Sequence, residues 1–274
     1  MSVISWSSYV DSATITNSTA TGSEVLSKEF MKTRQLANVF RHTFPAAGTL
    51  LLDFDLGSAK ATDLIGILNH DCQGLSYTIS FGTTLGASDV GSEGPNTFWT
   101  GTSDDGPHEL LYLTTALTAR YVRLAVTIPV TASPDLGRTV AIGRVWLDSA
   151  WAITVSMSFT LGITDTSTVT KTRGGSAYSS DKQVLRKLGC KAIGVTNYDL
   201  VGNPSDSLLK SFLTLDLAVG MHGAVLILPL TNSQINRQRL GVYGHLTDSQ
   251  PITILDKTGS EYVSEKRFTV EEDR

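Results

Sequence analysis

Residues 116–127 read ALTARYVRLAVT. Val122, Leu124, Val126 and Ile128 fall on one parity; Tyr121, Arg123, Ala125 and Thr127 fall on the other. Side chains alternate faces along a strand, so this spacing predicts a strand with one apolar face and one wet face. Arg120 and Arg123 then read as framework or interface residues of a sandwich strand, with Arg123 on the wet face.

The same period recurs outward from this segment. In TLLLDFDLG (49–57), Leu50, Leu52, Phe54 and Leu56 oppose Leu51, Asp53 and Asp55, which places both acids on a wet face. ATDLIGILNH (61–70) is apolar almost throughout, as expected of a strand covered on both sides. LSYTISFGTTLG, from residue 75, alternates again. TVAIGRVWLDSAW (139–151) carries Val140 and Ile142 before Gly143, and Val145 and Leu147 after it, so Gly143 is expected to mark a bulge. Short strands separated by Gly, Ser, Asn and Asp predict an antiparallel sandwich. Its core should contain Leu52, Phe54, Ile67, Ile79, Val122, Leu124 and Val126.

Beyond Trp151 the texture changes. Residues 157–183 are rich in Ser and Thr, with a turn expected at Arg173-Gly174-Gly175. VGNPSDSLLKSFLTLDLAVG reads as a helix over about 204–219: Asn203 suits the N-cap, Pro204 the first helical position and Gly220 the end. Leu208, Leu209, Phe212 and Leu215 give it an apolar face. HGAVLILPLT, RLGVYGHL, PITIL and YVSEKRFTVEE supply further strands. The expected division is a sandwich at 1–150 and a β-rich domain with one helix at 151–274.

With 274 residues the chain is long enough for two ordinary domains. Its net charge of −4 argues against nucleic acid as the main partner, because phosphate binding needs a basic surface. No apolar run is long enough to span a bilayer. The polar start MSVISWSSYVDSATITNST lacks the basic and apolar regions of a signal peptide. Without such a signal, Asn17-Ser18-Thr19 carries little weight as a glycosylation acceptor, and Cys72 and Cys190 read as buried thiols.

Catalytic patterns are sought and not found. His108-Glu109-Leu110-Leu111-Tyr112 has Tyr where a zinc helix needs its second His. Gly174-Gly175-Ser176-Ala177-Tyr178 lacks the second glycine of a nucleophile elbow. Asp104-Asp105-Gly106 offers carboxylates of the kind calcium takes, but a solvated turn accounts for them without a ligand series. Trp99 and Tyr112 flank a polar loop, where aromatics either stack on a sugar or pack locally. No catalytic, cofactor-binding or metal-binding residue is assigned.

Residues 24–148 resemble the galactose-binding-like, or discoidin-like, jelly roll, on LLLDFDLGSAKATDLIGILNH, LSYTISFG, TARYVRLAV and VAIGRVWL. The resemblance implies a sandwich fold that hosts carbohydrate, lipid and protein binders alike. With RGGSAYSSDKQVLRKL and YGHLTDSQPITILDKTGSEYVSEKRFTVEE added, the whole chain resembles tail-tip proteins of long-tailed bacteriophages, in the manner of distal tail proteins. It departs from them in order, since those proteins put the ring-forming domain first. What this resemblance implies is a non-enzymatic virion protein, made in the host cytoplasm, that joins the tail tube to tip and hub proteins. A homo-oligomeric ring is expected, six copies by resemblance and three also compatible, through the C-terminal strands and a polar segment at 162–183 that orders on contact. The alternative is a carbohydrate-binding module contacting the host surface.

Overall fold

The computed structural model describes residues 1–100, 108–129, 138–153, 156–165, 168–171, 177–180, 184–202, 210–220, 223–258 and 261–273. In chain order the strands of the first half are β1 (Ser2–Ser5), β2 (Thr14–Asn17), β3 (Ser23–Leu26), β4 (Phe40–Phe44), β5 (Gly48–His70), β6 (Ser76–Gly82), β7 (Gly91–Thr97), β8 (Glu109–Ile128) and β9 (Arg138–Asp148). Then come β10 (Trp151–Ile153), β11 (Ser156–Asp165), β12 (Thr168–Lys171), β13 (Ala177–Ser180), β14 (Val184–Val195), α1 (Asn197–Val201), α2 (Phe212–Val219) and β15 (Ala224–Leu228). The chain ends with α3 (Gln234–Leu240), β16 (Val242–Ser249), β17 (Thr253–Thr258) and β18 (Glu261–Glu272). It is mainly β, as its periodicity requires.

Two compact units form. One comprises Ser7–Ala150 with Thr231–Arg239; the other comprises Met1–Trp6, Trp151–Leu230 and Leu240–Arg274. The expected division at 150/151 differs from this in two places. Met1–Trp6 joins the second unit because β1 pairs between β10 and β15. Thr231–Arg239 joins the first because its polar side chains bond to β7 and β8.

The first unit is a two-layer antiparallel sandwich built on two long strands that serve both layers. The first part of β5, Gly48 to Asp55, pairs with β2 and with β8 from Tyr121 to Ile128. Its later part pairs with the start of β8 and with β9. Between them the register shifts from Asp55 to Lys60, near Gly57, whose φ of 76° is open to glycine at little cost. The two stretches read as separate strands are thus one strand that turns a corner. β6 and β7 extend the first layer and β4 and β3 the second. All seven expected core residues lie in one buried cluster between the layers. Phe54, Ile79, Val122 and Leu124 face Ile65, Ile67, Val145 and Leu147 across a residual apolar cavity of about 10 Å³.

Gly143 is not a bulge. β9 keeps one register through it against β4 and β5, and a Cβ there would come within 2.9 Å of Asn69 Cβ and of the Leu36 carbonyl oxygen. Glycine is required by close approach, not by a kink. Arg144 beside it is wholly buried, bonded to Asp11 at 2.7 Å and stacked 4.8 Å from the Trp146 ring. Short 3-10 turns at Tyr9–Ser12 and Lys28–Lys32 lie against β9 and cover that face.

In the second unit the strand order is β10-β1-β15-β16-β18-β14-β11, with β17 on β18. β10 and β11 lie at opposite ends of this path, yet only two residues separate them in the chain. Three peptide steps reach at most about 11 Å, so the sheet curls enough to bring the end of β10 near the start of β11, although the two strands do not pair. Ile4, Leu188, Cys190, Val225, Ile227, Val242, Leu246, Phe268 and Val270 fill the interior, and α2 adds Phe212, Leu215 and Val219. Of the helix expected at about 204–219, the described residues contain α2. Ser211 is its N-cap: the Ser211 hydroxyl accepts from the Thr214 amide at 3.2 Å, and the Thr214 hydroxyl accepts from the Ser211 amide at 2.8 Å. Lys210 and Ser211 are not helical, and 203–209, with the expected cap Asn203 and Pro204, lie outside the described residues. α1 and α3 are too short for a period of 3.6 to show in the sequence.

Candidate functional site

The C-terminal strands were the expected assembly edge. β18 instead lies inside the sheet, with β14 on one side and β16 and β17 on the other. Among the described residues three strands of this sheet have a single partner: β17 on β18, β10 on β1, and β11, which pairs with β14 alone. Ten registered pairs join the two strands, from Ser156↔Ile193 to Asp165↔Val184. The same two chain segments pair again as β12 and β13, so they run out as a two-stranded ribbon. This corrects the expectation that 162–183 orders only on contact with a neighbour, since its described parts are already paired within the chain. The expected turn at Arg173-Gly174-Gly175 lies outside the described residues.

Along β11, Met157, Phe159, Leu161 and Ile163 share the face that bears Ala192, Cys190 and Leu188 on β14. Met157 and Phe159 pack against the interior cluster. Leu161 and Ile163 continue the row into solvent, at 45% and 72% exposure. The interior gives way at Arg186, paired with Ile163 in register, whose guanidinium turns to the buried Glu272 carboxylate at 2.5 and 2.8 Å. The apolar row therefore outlasts the core beneath it. Asp165 is the only charged residue on this strand. A long edge with a single charge at its end and exposed aliphatic side chains is the kind natural proteins normally cover or charge.

The residues singled out from the sequence fall elsewhere. On the sandwich, Arg120 binds Asp55 through two bonds of 2.8 and 2.9 Å, and Arg123 binds Asp53 through two of 2.6 and 2.9 Å. Asp53 departs from the wet-face reading. It is 1% exposed, because β2 pairs alongside and the Ser18 hydroxyl donates to it at 2.7 Å. His108–Tyr112 enters β8, an extended setting in which no zinc helix forms. Asp104 and Asp105 lie outside the described residues. Cys72 and Cys190 are free and buried, and burial raises both thiols. Such thiols are inert.

Two buried polar clusters were missed by sequence reading because no local pattern marks them. Glu109 takes hydrogen bonds from the Tyr77 hydroxyl (3.1 Å), the Gln234 amide (3.0 Å) and the Trp99 backbone (2.7 Å). Burial pushes its carboxyl up, and these donors hold it back in part. Nearby, His70 accepts from the Cys72 amide, packs on Phe98 and is lowered to about 3, first by burial and then by His108. Both groups are buried. No group of three potential metal ligands occurs among the described residues. Trp99 and Tyr112 are half-buried.

No family model and no curated protein matches this chain. Among solved structures it is similar to a CBM32 module of CpGH89 from Clostridium perfringens, at 14% identity and TM-score 0.36, over 52% of this chain and 98% of that one. The lectin domain of lectinolysin, solved with Lewis B antigen, is similar at 11% identity and TM-score 0.39, over 52% and 97%. A chitosan-binding module of a chitosanase/glucanase from Paenibacillus sp. IK-5 is similar at 19% identity and TM-score 0.37, over 52% and 99%. Likeness at this level carries no inference about ligand. The sandwich described above rests on its own strand pairing.

Proposed function

We propose that this chain is a non-catalytic structural protein that assembles with copies of itself through the β11 edge, in the tail tip of a long-tailed bacteriophage. The observation that carries assembly is the apolar row ending at the exposed Leu161 and Ile163, on an edge strand whose one charged residue is Asp165. Unpaired N–H and C=O groups along such an edge are satisfied by a strand of a neighbouring copy; where that strand belongs to a different surface from β11, the contact is head-to-tail and closes into a ring when the rotation allows. The tail-tip setting, the ring of six with three as the other order, and the tube and hub partners rest on resemblance of sequence. Stable interfaces of this kind bury more than about 1,200 Å² in total, so β11 needs the rest of the ribbon beside it. Light scattering and negative-stain imaging of the full chain, with and without tail-tube protein, test the reading. Rings that disappear in Ile163→Lys support it; a parent that stays monomeric in every mixture overturns it.

A second reading is glycan binding by the sandwich. It is favoured by Trp99, a half-buried aromatic whose backbone is fixed by Glu109. Galactose, fucose and Lewis b, named for similar modules, are the first sugars to array. Binding lost in Trp99→Ala would establish it, and an array without signal would remove it.

A further inference from the structure

The first part of β8, Glu109 to Ala119, pairs with β5 on one side and with no strand on the other among the described residues. This free edge is not bare. The Leu110 amide donates to Gln238 Oε1 at 3.1 Å, and Gln238 Nε2 donates back to the Leu110 carbonyl at 3.3 Å. Arg237 Nε donates to that same carbonyl at 2.9 Å. A residue in an adjoining antiparallel strand would make this exchange of one N–H and one C=O. Gln238, 1% exposed, thus stands in for a peptide unit. Gln234 fixes the segment from its other end, donating to Glu109 Oε1 at 3.0 Å and to the Thr97 carbonyl at 3.2 Å. Further along, Leu117 pairs with Thr62 but Tyr112 with Leu64, so four residues of β8 bulge opposite Asp63. A bulge spoils an edge for pairing.

We propose that Thr231–Arg239 is an edge guard, which keeps the start of β8 from pairing with β8 of a second copy. The segment is drawn from between β15 and β16 of the other unit, and it holds by polar bonds while Ile235 stays 51% exposed. This surface is distinct from β11 and stands whether or not the reading above does.

The test uses the full chain in an Ile163→Lys background, so that contacts through β11 cannot supply the signal. Gln234→Ala with Gln238→Ala should speed amide exchange at Leu110 by at least about tenfold and should produce a concentration-dependent dimer in light scattering. Adding Tyr112→Lys, a charge on the exposed edge, should return the mass to that of the background. Unchanged exchange at Leu110, or faster exchange with the background mass, overturns the proposal. If the double variant does not fold, Gln238→Glu decides on the same two measurements. It keeps the acceptor for the Leu110 amide and loses the donor to its carbonyl, so partial dimer supports the guard and none overturns it.

Discussion

Asp53 and Leu124 sit on neighbouring strands of one layer, on opposite faces, and both are closed to solvent. Truncating Leu124 to Ala removes apolar contacts beside an existing cavity and should destabilise by roughly 2–5 kcal/mol. Arg123→Ala is not the mild change that an exposed pair would give. It leaves the Asp53 carboxylate buried with only the Ser18 hydroxyl as a side-chain donor. Breaking a buried pair costs about 3–5 kcal/mol; with Arg123 itself 26% exposed, we expect about 2–3. Arg120→Ala, at an exposed pair, should leave the melting curve where it is. Chemical denaturation of the three variants checks the order, and an Arg123→Ala loss no larger than that of Arg120→Ala would refute it. His70 supplies a pH dependence. Burial holds its folded pKa at about 3, below the ordinary imidazole value of 6.5, so the unfolded chain binds the proton first. Stability should therefore fall as pH drops from about 6.5 toward 3, and His70→Asn, which keeps an acceptor for the Cys72 amide, should flatten that slope between pH 7 and 5.

At the scale of elements, α2 depends on its cap. Ser211→Ala removes one arm of the capping box and should cost about 1 kcal/mol. β11 behaves differently. Ile163→Lys takes nothing from the core, so the melting midpoint should hold while oligomers vanish from light scattering. A change in midpoint as large as that of Leu124→Ala would mean that the row is covered within the chain. β5 shows how legible an element can be in type and misleading in extent. Alternation of Leu50, Leu52, Phe54 and Leu56 states a strand and its buried face, but a corner through Gly57 joins it to the next run only because both layers need it.

For the whole molecule, the division of the chain has a measurable consequence. Residues 1–150 contain the sandwich core but lack Gln234, Arg237 and Gln238, and they carry β1 without its partners. We expect a cooperative melt, several degrees below that of the same fragment with 231–239 joined by a Gly/Ser linker. Equal midpoints would show that the segment adds nothing to the sandwich.

By itself the sequence determined the class of this protein: parity along 116–127 and its neighbours assigns strands, buried faces and the core from Leu52 to Val126, because a period of two is a local property. It also marked Gly220 as the end of a helix, since a positive φ favours glycine there. Burial of Asp53 and Arg144, the polar clasp of Gln238 on Leu110 and the bare edge of β11 were decided only by tertiary structure. Each depends on which distant segment comes to lie alongside. Covering by β2, by a 3-10 turn or by α3 follows from long-range packing, and the residues that are covered carry no local sign of it.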